Sequence, residues 1–276
     1  MEAMNSLMLN TDGVQIPQLG FGVWQVPDDE AEQAVRTALE AGYRHIDTAA
    51  AYGNEEGVGR AVRASGLPRE KVFVATKLWN GDHGRAEQAF DESLARLGLD
   101  HVDLYLIHWP VPRQDKYVQA WKALEKIYRD GRARAIGVSN FTVPTLTRLM
   151  EETGITPSLN QIELHPYLQQ REMREFHDAN GILTEAWSPL GQGSGLLDDP
   201  ALAVLSGKHG RTPAQIVLRW HLQLGNVAIP KSVTPARIKE NIDVFDFILD
   251  TEDMAAIGAL NQGKRLGPDP DTFNAT

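Results

Sequence analysis

Eight short apolar runs, spaced by stretches of helical periodicity, constrain this chain more than any other feature. The runs are 19–22, 45–47, 72–77, 103–107, 133–138, 159–162, 182–186 and 227–229. They are continuous rather than alternating, as parallel strands covered by helices require. Between them, Ala31, Ala34, Val35, Ala38 and Leu39 share one helical face. Ala86, Ala89, Phe90, Leu94 and Leu97 share a second, and Tyr117, Trp121, Leu124 and Tyr128 a third. These spacings follow a period of 3.6 residues. Repeated βα units in this number predict an α/β fold built as a single (β/α)8 TIM barrel, with an open doubly wound sheet as the alternative. No linker or charge block divides residues 1–276, which read as one domain. Asp12-Gly13 between apolar residues signals an N-terminal β-hairpin, placed to plug the N-terminal end of the barrel. A short C-terminal tail from Gly267 is irregular and is expected to lie over the surface.

Composition excludes several classes of function. The chain has no cysteine, so thiolate catalysis, disulfides and cysteine-ligated metal are out, which suits a cytoplasmic protein. No apolar run approaches the roughly 20 residues of a membrane span, and the first residues do not read as a signal peptide. A net charge of −10 opposes non-specific nucleic-acid binding. The eight histidines show no ligand spacing, and no catalytic metal is expected. Gly137-Val138-Ser139-Asn140-Phe141 imitates a nucleophile elbow until Phe141, where glycine is required.

Three successive strands deliver ionisable groups at their C-terminal ends, where barrels of parallel strands carry out chemistry. Asp47 and Tyr52 follow the second run, Lys77 ends the third and His108 follows the fourth. Singly, each suits a structural role; together they form an apparatus. A lysine cation makes a nearby phenol a better proton donor, and an aspartate holds the lysine in place. A histidine can orient a carbonyl oxygen and stabilise charge developing on it. This combination protonates an alkoxide as hydride reaches its carbon, and the hydride must come from a cofactor.

Asp47-Thr48-Ala49 with Tyr52-Gly53-Asn54-Glu55 resembles the first signature of the aldo-keto reductases. Leu106-Ile107-His108-Trp109-Pro110, Gly137-Val138-Ser139-Asn140-Phe141, Asn160-Gln161-Ile162-Glu163 and Ile229-Pro230-Lys231-Ser232 resemble further signatures in the same order. Within the family the chain resembles bacterial reductases of the 2,5-diketo-D-gluconate reductase type. The resemblance implies NADPH-dependent reduction of aldehydes or ketones, with Tyr52 as proton donor, Lys77 and Asp47 tuning it and His108 orienting the carbonyl. It implies a monomer. A nucleotide-sensing subunit on the same fold is the rival reading, and the intact tetrad favours the enzyme.

The chain lacks a dinucleotide fingerprint: Gly20-Phe21-Gly22 is followed by Gln25 where a third glycine is needed, so this pair reads as a tight strand end. Thr234 and Pro235 suit the N-cap and first position of a helix, whose N-terminus attracts phosphate, with Lys231 and Arg237 beside it. The resemblance implies that Arg237 clamps the 2′-phosphate of NADPH and that Glu240 and Asn241 address the adenine. It places Ser232, Val233 and Thr234 on the same nucleotide, and Ser188, Leu190, Gly191 and Gln192 in a loop over the pyrophosphate. Ser139, Asn140 and Gln161 are expected to hold the nicotinamide carboxamide. Trp187 stands where the family usually has tyrosine, for stacking on the nicotinamide; Val23, Trp24 and Asp47 complete the cofactor set. Trp24, Trp79 and Trp109, with Tyr52 and His108, are the expected substrate contacts.

Overall fold

The computed structural model describes residues 6–9 and 13–276. Strands β1 (Ser6–Met8) and β2 (Gln15–Pro17) pair antiparallel with Leu7 opposite Ile16, the expected hairpin. Part of its turn, Asp12 included, lies outside the described residues.

Eight strands follow: β3 (Phe21–Gly22), β4 (His45–Asp47), β5 (Phe73–Leu78), β6 (Val102–Ile107), β7 (Ala133–Ser139), β8 (Leu159–Glu163), β9 (Leu183–Trp187) and β10 (Val227–Ala228). Each pairs in parallel with its neighbour in chain order. The first returns to the last through parallel bridges Leu19↔Ala228 and Gly22↔Lys231, and Gly20 N donates to Ala228 O at 2.8 Å. The sheet is thereby a barrel rather than an open sheet. A Cβ on Gly20 would stand 2.5 Å from His45 Nδ1, and one on Gly22 would stand 3.0 Å from Ile229 O. The Gly20/Gly22 pair thus permits close backbone approach at the closing seam.

The outside is covered by α1 (Asp28–Ala41), α2 (Glu55–Ala64), α3 (Ala86–Leu97), α4 (Tyr117–Arg129), α5 (Val143–Glu152), α6 (Arg171–Asn180), α7 (Pro200–His209), α8 (Pro213–Gln223), α9 (Pro235–Ile242) and α10 (Thr251–Gly258). Apolar periodicity located α1, α3 and α4, and cap chemistry located α9.

Side-chain alternation along the strands sorts the interior. Phe73, Ala75, Leu104, Leu106, Ala135, Leu159 and Val227 form an inner cluster with Leu9, Val14 and Ile16 of the hairpin segment, which therefore plugs the N-terminal end. Val74, Leu78, Val102, Tyr105, Ile107, Ile136 and Val138 belong instead to the layer beneath the helices. Continuing the inward series by steps of two reaches Lys77 after Ala75, His108 after Leu106, Ser139 after Ala135, and Gln161 after Leu159. The barrel is apolar at the plugged end and polar at the other.

Burial holds the His45, His83 and His177 imidazoles down to about 4, and His221 to about 3, against an ordinary value of 6.5. Between 6.5 and about 4 the unfolded chain therefore binds more protons than the native one. Stability should fall as pH falls through that window, by up to about 1.4 kcal/mol per pH unit for each imidazole. Urea denaturation at a series of pH values checks this; constant stability from neutrality down to about pH 5 would contradict it.

Candidate active site

Tyr52 ends a 3₁₀ turn, Ala50–Tyr52, that follows β4 and closes on Gly53 at φ 66°. Two neighbours fix this turn. Asn54 is fully buried; its Nδ2 donates to Val23 O at 2.9 Å and Val26 O at 2.8 Å, and its Oδ1 accepts from Thr48 Oγ1 at 2.7 Å. Glu55 accepts from Thr76 Oγ1 at 2.6 Å and from Arg96 Nε at 2.7 Å. The Asn-Glu pair of the first motif is therefore structural: it anchors the turn to β5 and α3 so that the phenol stands over the barrel mouth.

Three groups surround the Lys77 ammonium: Asp47 Oδ1 at 2.6 Å, Thr48 O at 2.8 Å and Tyr52 Oη at 3.4 Å. Its three hydrogens thus have three acceptors. Burial, the largest single influence, opposes the charge, yet Asp47 and the other neighbouring groups together outweigh it and raise the Lys77 pKa. Burial also raises the Tyr52 phenol against the pull of Lys77, so Tyr52 keeps its proton in the free protein. His108 packs edge-on to Tyr52 with ring centroids 5.6 Å apart. Burial, reinforced by Lys77, pushes its imidazole well below the ordinary value, so the ring is neutral. Its Nδ1 is buried without a partner among the described residues. With Nδ1 unpartnered, we assign the ring proton to Nε2.

These groups form the floor of a cavity of about 730 Å³. Asp47, Tyr52, His108, Ser139, Asn140, Gln161, Trp187, Ser188, Leu190, Gln192 and Lys231 line it, as do Trp24, Trp79 and Trp109. Lys77 lies behind Asp47 and Tyr52. Val23 is core, with its carbonyl taken by Asn54. Asn140 sits at φ 61° immediately after β7, a left-handed corner that asparagine tolerates. Its Nδ2 donates to His108 O and to Ser139 Oγ, both at 3.0 Å, and its Oδ1 accepts from Trp187 Nε1 at 2.8 Å. Gly191, Gln192, Gly193 and Gly195 all have positive φ, so the loop after β9 needs its glycines.

Ser232, Val233, Thr234, Arg237, Glu240 and Asn241 lie beyond this cavity, at the start of α9 and along it. Pro235 opens the helix as expected, but the Thr234 side chain makes no cap bond; Ser232 Oγ instead accepts from Thr234 N at 3.1 Å. Glu240 Oε1 accepts from Thr212 Oγ1 at 2.8 Å, and Asn241 is buried. Among the described residues neither Lys231 nor Arg237 has an ion-pair partner.

The C-terminal tail does more than cover surface. Leu266, Gly267, Pro268 and Phe273 line the cavity, and the Phe273 ring packs 4.4 Å from that of Trp109. Glu163, at the end of β8, anchors the tail by accepting from Leu266 N at 2.7 Å and Gly267 N at 2.9 Å. A Cβ on Gly267 would stand 2.4 Å from Trp187 Cη2, so the tail backbone lies against the indole. Sequence periodicity carries no signal for such an irregular segment; its isolated Leu266 and Phe273 were the available hint.

Residues 18–262 match the Aldo/keto reductase family. An aldo-keto reductase of Mycolicibacterium smegmatis is 59% identical over 267 residues, covering 96% of this chain and 97% of that one. Methylglyoxal reductase DkgA of Escherichia coli K12 is 55% identical over 263 residues, covering 95% of this chain and 96% of that one. A solved structure of a Gox0644 variant in complex with NADPH superposes with a TM-score of 0.94 at 47% identity, covering 99% of both chains. On this match of sequence, fold and pocket, the chain belongs to the aldo-keto reductase family.

Proposed function

We propose that the chain reduces small aldehydes and ketones to alcohols with NADPH, and that Asp47, Tyr52, Lys77 and His108 carry the chemistry. The observation that carries this reading is the buried Lys77 ammonium, held by Asp47 at 2.6 Å and set 3.4 Å from the Tyr52 hydroxyl, beside a neutral His108 at the cavity floor. The donor set fits a dihydronicotinamide. Gln161 Oε1 has no protein partner among the described residues, and Asn140 Oδ1 has a spare lone pair, so both can accept from a carboxamide NH₂. Unpaired Lys231 and Arg237 near the uncapped start of α9 suit phosphate.

When bound, NADPH supplies a hydride to the carbonyl carbon. His108 Nε2–H donates to the carbonyl oxygen and polarises it. As negative charge grows on that oxygen, the Tyr52 hydroxyl transfers its proton to it. Lys77 stabilises the phenolate left behind, and Asp47 keeps the ammonium in place. The tryptophan walls and Phe273 exclude water around the reacting carbon. Methylglyoxal, named for the Escherichia coli relative, is the first substrate to test.

The test follows NADPH absorbance on adding methylglyoxal to the wild type and to Arg237→Ala. Wild-type turnover with NADPH is expected. Removing one charge-assisted contact to the 2′-phosphate should cost about 1.5–3 kcal/mol, a tenfold to hundredfold loss of NADPH affinity. NADH affinity should change little. Equal losses for the two cofactors would remove Arg237 from the phosphate site, and no oxidation of NADPH with any carbonyl would reject the function.

A further inference from the structure

Beneath the active site lies a buried acid that the mechanism does not use. Glu185, on β9, is fully buried inside the barrel. Its Oε2 accepts from Gln161 Nε2 at 2.8 Å. The same Gln161 Nε2 donates to Asp47 Oδ2 at 2.9 Å. An amide nitrogen has two hydrogens, and here two carboxyl groups take both. We propose that Glu185 is a positioning residue for the reaction: with Asp47 it fixes the Gln161 amide so that Oε1, a pure acceptor, faces the nicotinamide carboxamide. This rests on the NADPH reading above.

Packing alone does not explain Glu185. Among the described residues its other oxygen, Oε1, has no hydrogen-bond partner. His45 Nε2 stands 3.6 Å from Glu185 Oε1, beyond hydrogen-bond length. Orphaned polar atoms in a barrel interior are destabilising, and an apolar side chain would avoid them. The charged and titratable neighbours among the described residues are Asp47 and His45 from β4, Lys77 from β5 and Tyr52 from the turn after β4. Burial, and then the Asp47 carboxylate, raise the Glu185 pKa, which favours its uncharged form. An uncharged carboxyl accepts from Gln161 through its carbonyl oxygen, and glutamine can do the same.

That equivalence supplies the test. Glu185→Gln keeps an acceptor for Gln161 Nε2, whereas Glu185→Leu removes it and frees the amide to turn. The probes are NADPH and its reduced 3-acetylpyridine analogue, which carries a methyl ketone in place of the carboxamide and so has no NH₂ to donate. Dissociation constants for both are measured by fluorescence, with 2′,5′-ADP as a control for the distal site. The wild type should prefer the carboxamide. Glu185→Leu should reduce that preference about tenfold, the value of one lost hydrogen bond. Glu185→Gln should keep it, and 2′,5′-ADP should bind all three proteins alike. An unchanged preference in Glu185→Leu, or a loss shared by both cofactors, would overturn the assignment, as would a Glu185→Gln variant as impaired as Glu185→Leu. A wild type that binds no NADPH would instead reject the cofactor reading itself.

Discussion

Tyr52→Phe is expected to lower kcat for carbonyl reduction by about 10²–10⁴-fold while NADPH binds almost as tightly as before. The hydroxyl is the proton source in the proposed reaction, and the two neighbouring donors are otherwise engaged: Lys77 is committed to Asp47 and Thr48, and a neutral His108 holds a proton that serves to orient the carbonyl. The loss corresponds to about 2.7–5.5 kcal/mol of transition-state stabilisation. Binding should survive because the phenol is uncharged in the free protein, its pKa raised by burial against the opposing effect of Lys77. Removing it therefore takes no charge from the pocket. Single-turnover rates and fluorescence titration separate the two quantities. A kcat near that of the wild type would take Tyr52 out of the reaction, and parallel losses of rate and cofactor affinity would make it a binding residue.

The period-two pattern of the strands explains what could be read from sequence and what could not. All eight runs became strands, and of the ionisable residues at three strand ends Asp47, Tyr52 and His108 line one cavity with Lys77 buried behind them, because a polar group ending an apolar run has few places to go but the barrel mouth. The same alternation should have flagged Glu185. It lies two residues before Trp187 and pairs with Gln161 across the β8–β9 register, yet a single glutamate in an apolar run reads as facing out. Asn54 and Glu55 were visible as motif letters, but their anchoring contacts reach Val23, Thr76 and Arg96, which are distant in the chain. The tail contacts of Glu163 with Leu266 and Gly267 span more than a hundred residues. Local periodicity holds no information on such pairs. Thr234 shows the opposite error: the correct cap residue occupies the correct position, but its side chain is not used.

Lys77→Met should damage both rate and stability, and the two losses should be separable. Lys77 and Asp47 are a fully buried pair at 2.6 Å. Removing one member of such a pair strands the other and costs about 3–5 kcal/mol. The rate should fall for a different reason. Lys77 is the charge that opposes burial at Tyr52; without it the phenol becomes a weaker acid and the phenolate formed in the transition state loses its stabilising partner. A fall in kcat of about 10²–10⁴-fold is expected, comparable with loss of the general acid itself. The second variant, Lys77→Met with Asp47→Asn, removes the stranded charge and keeps an acceptor for Gln161 Nε2. It should regain much of the lost stability in urea while kcat stays low. Recovery of kcat together with stability would show that Lys77 acts only by holding the fold, and the proposed coupling between its ammonium and the Tyr52 hydroxyl would then be wrong.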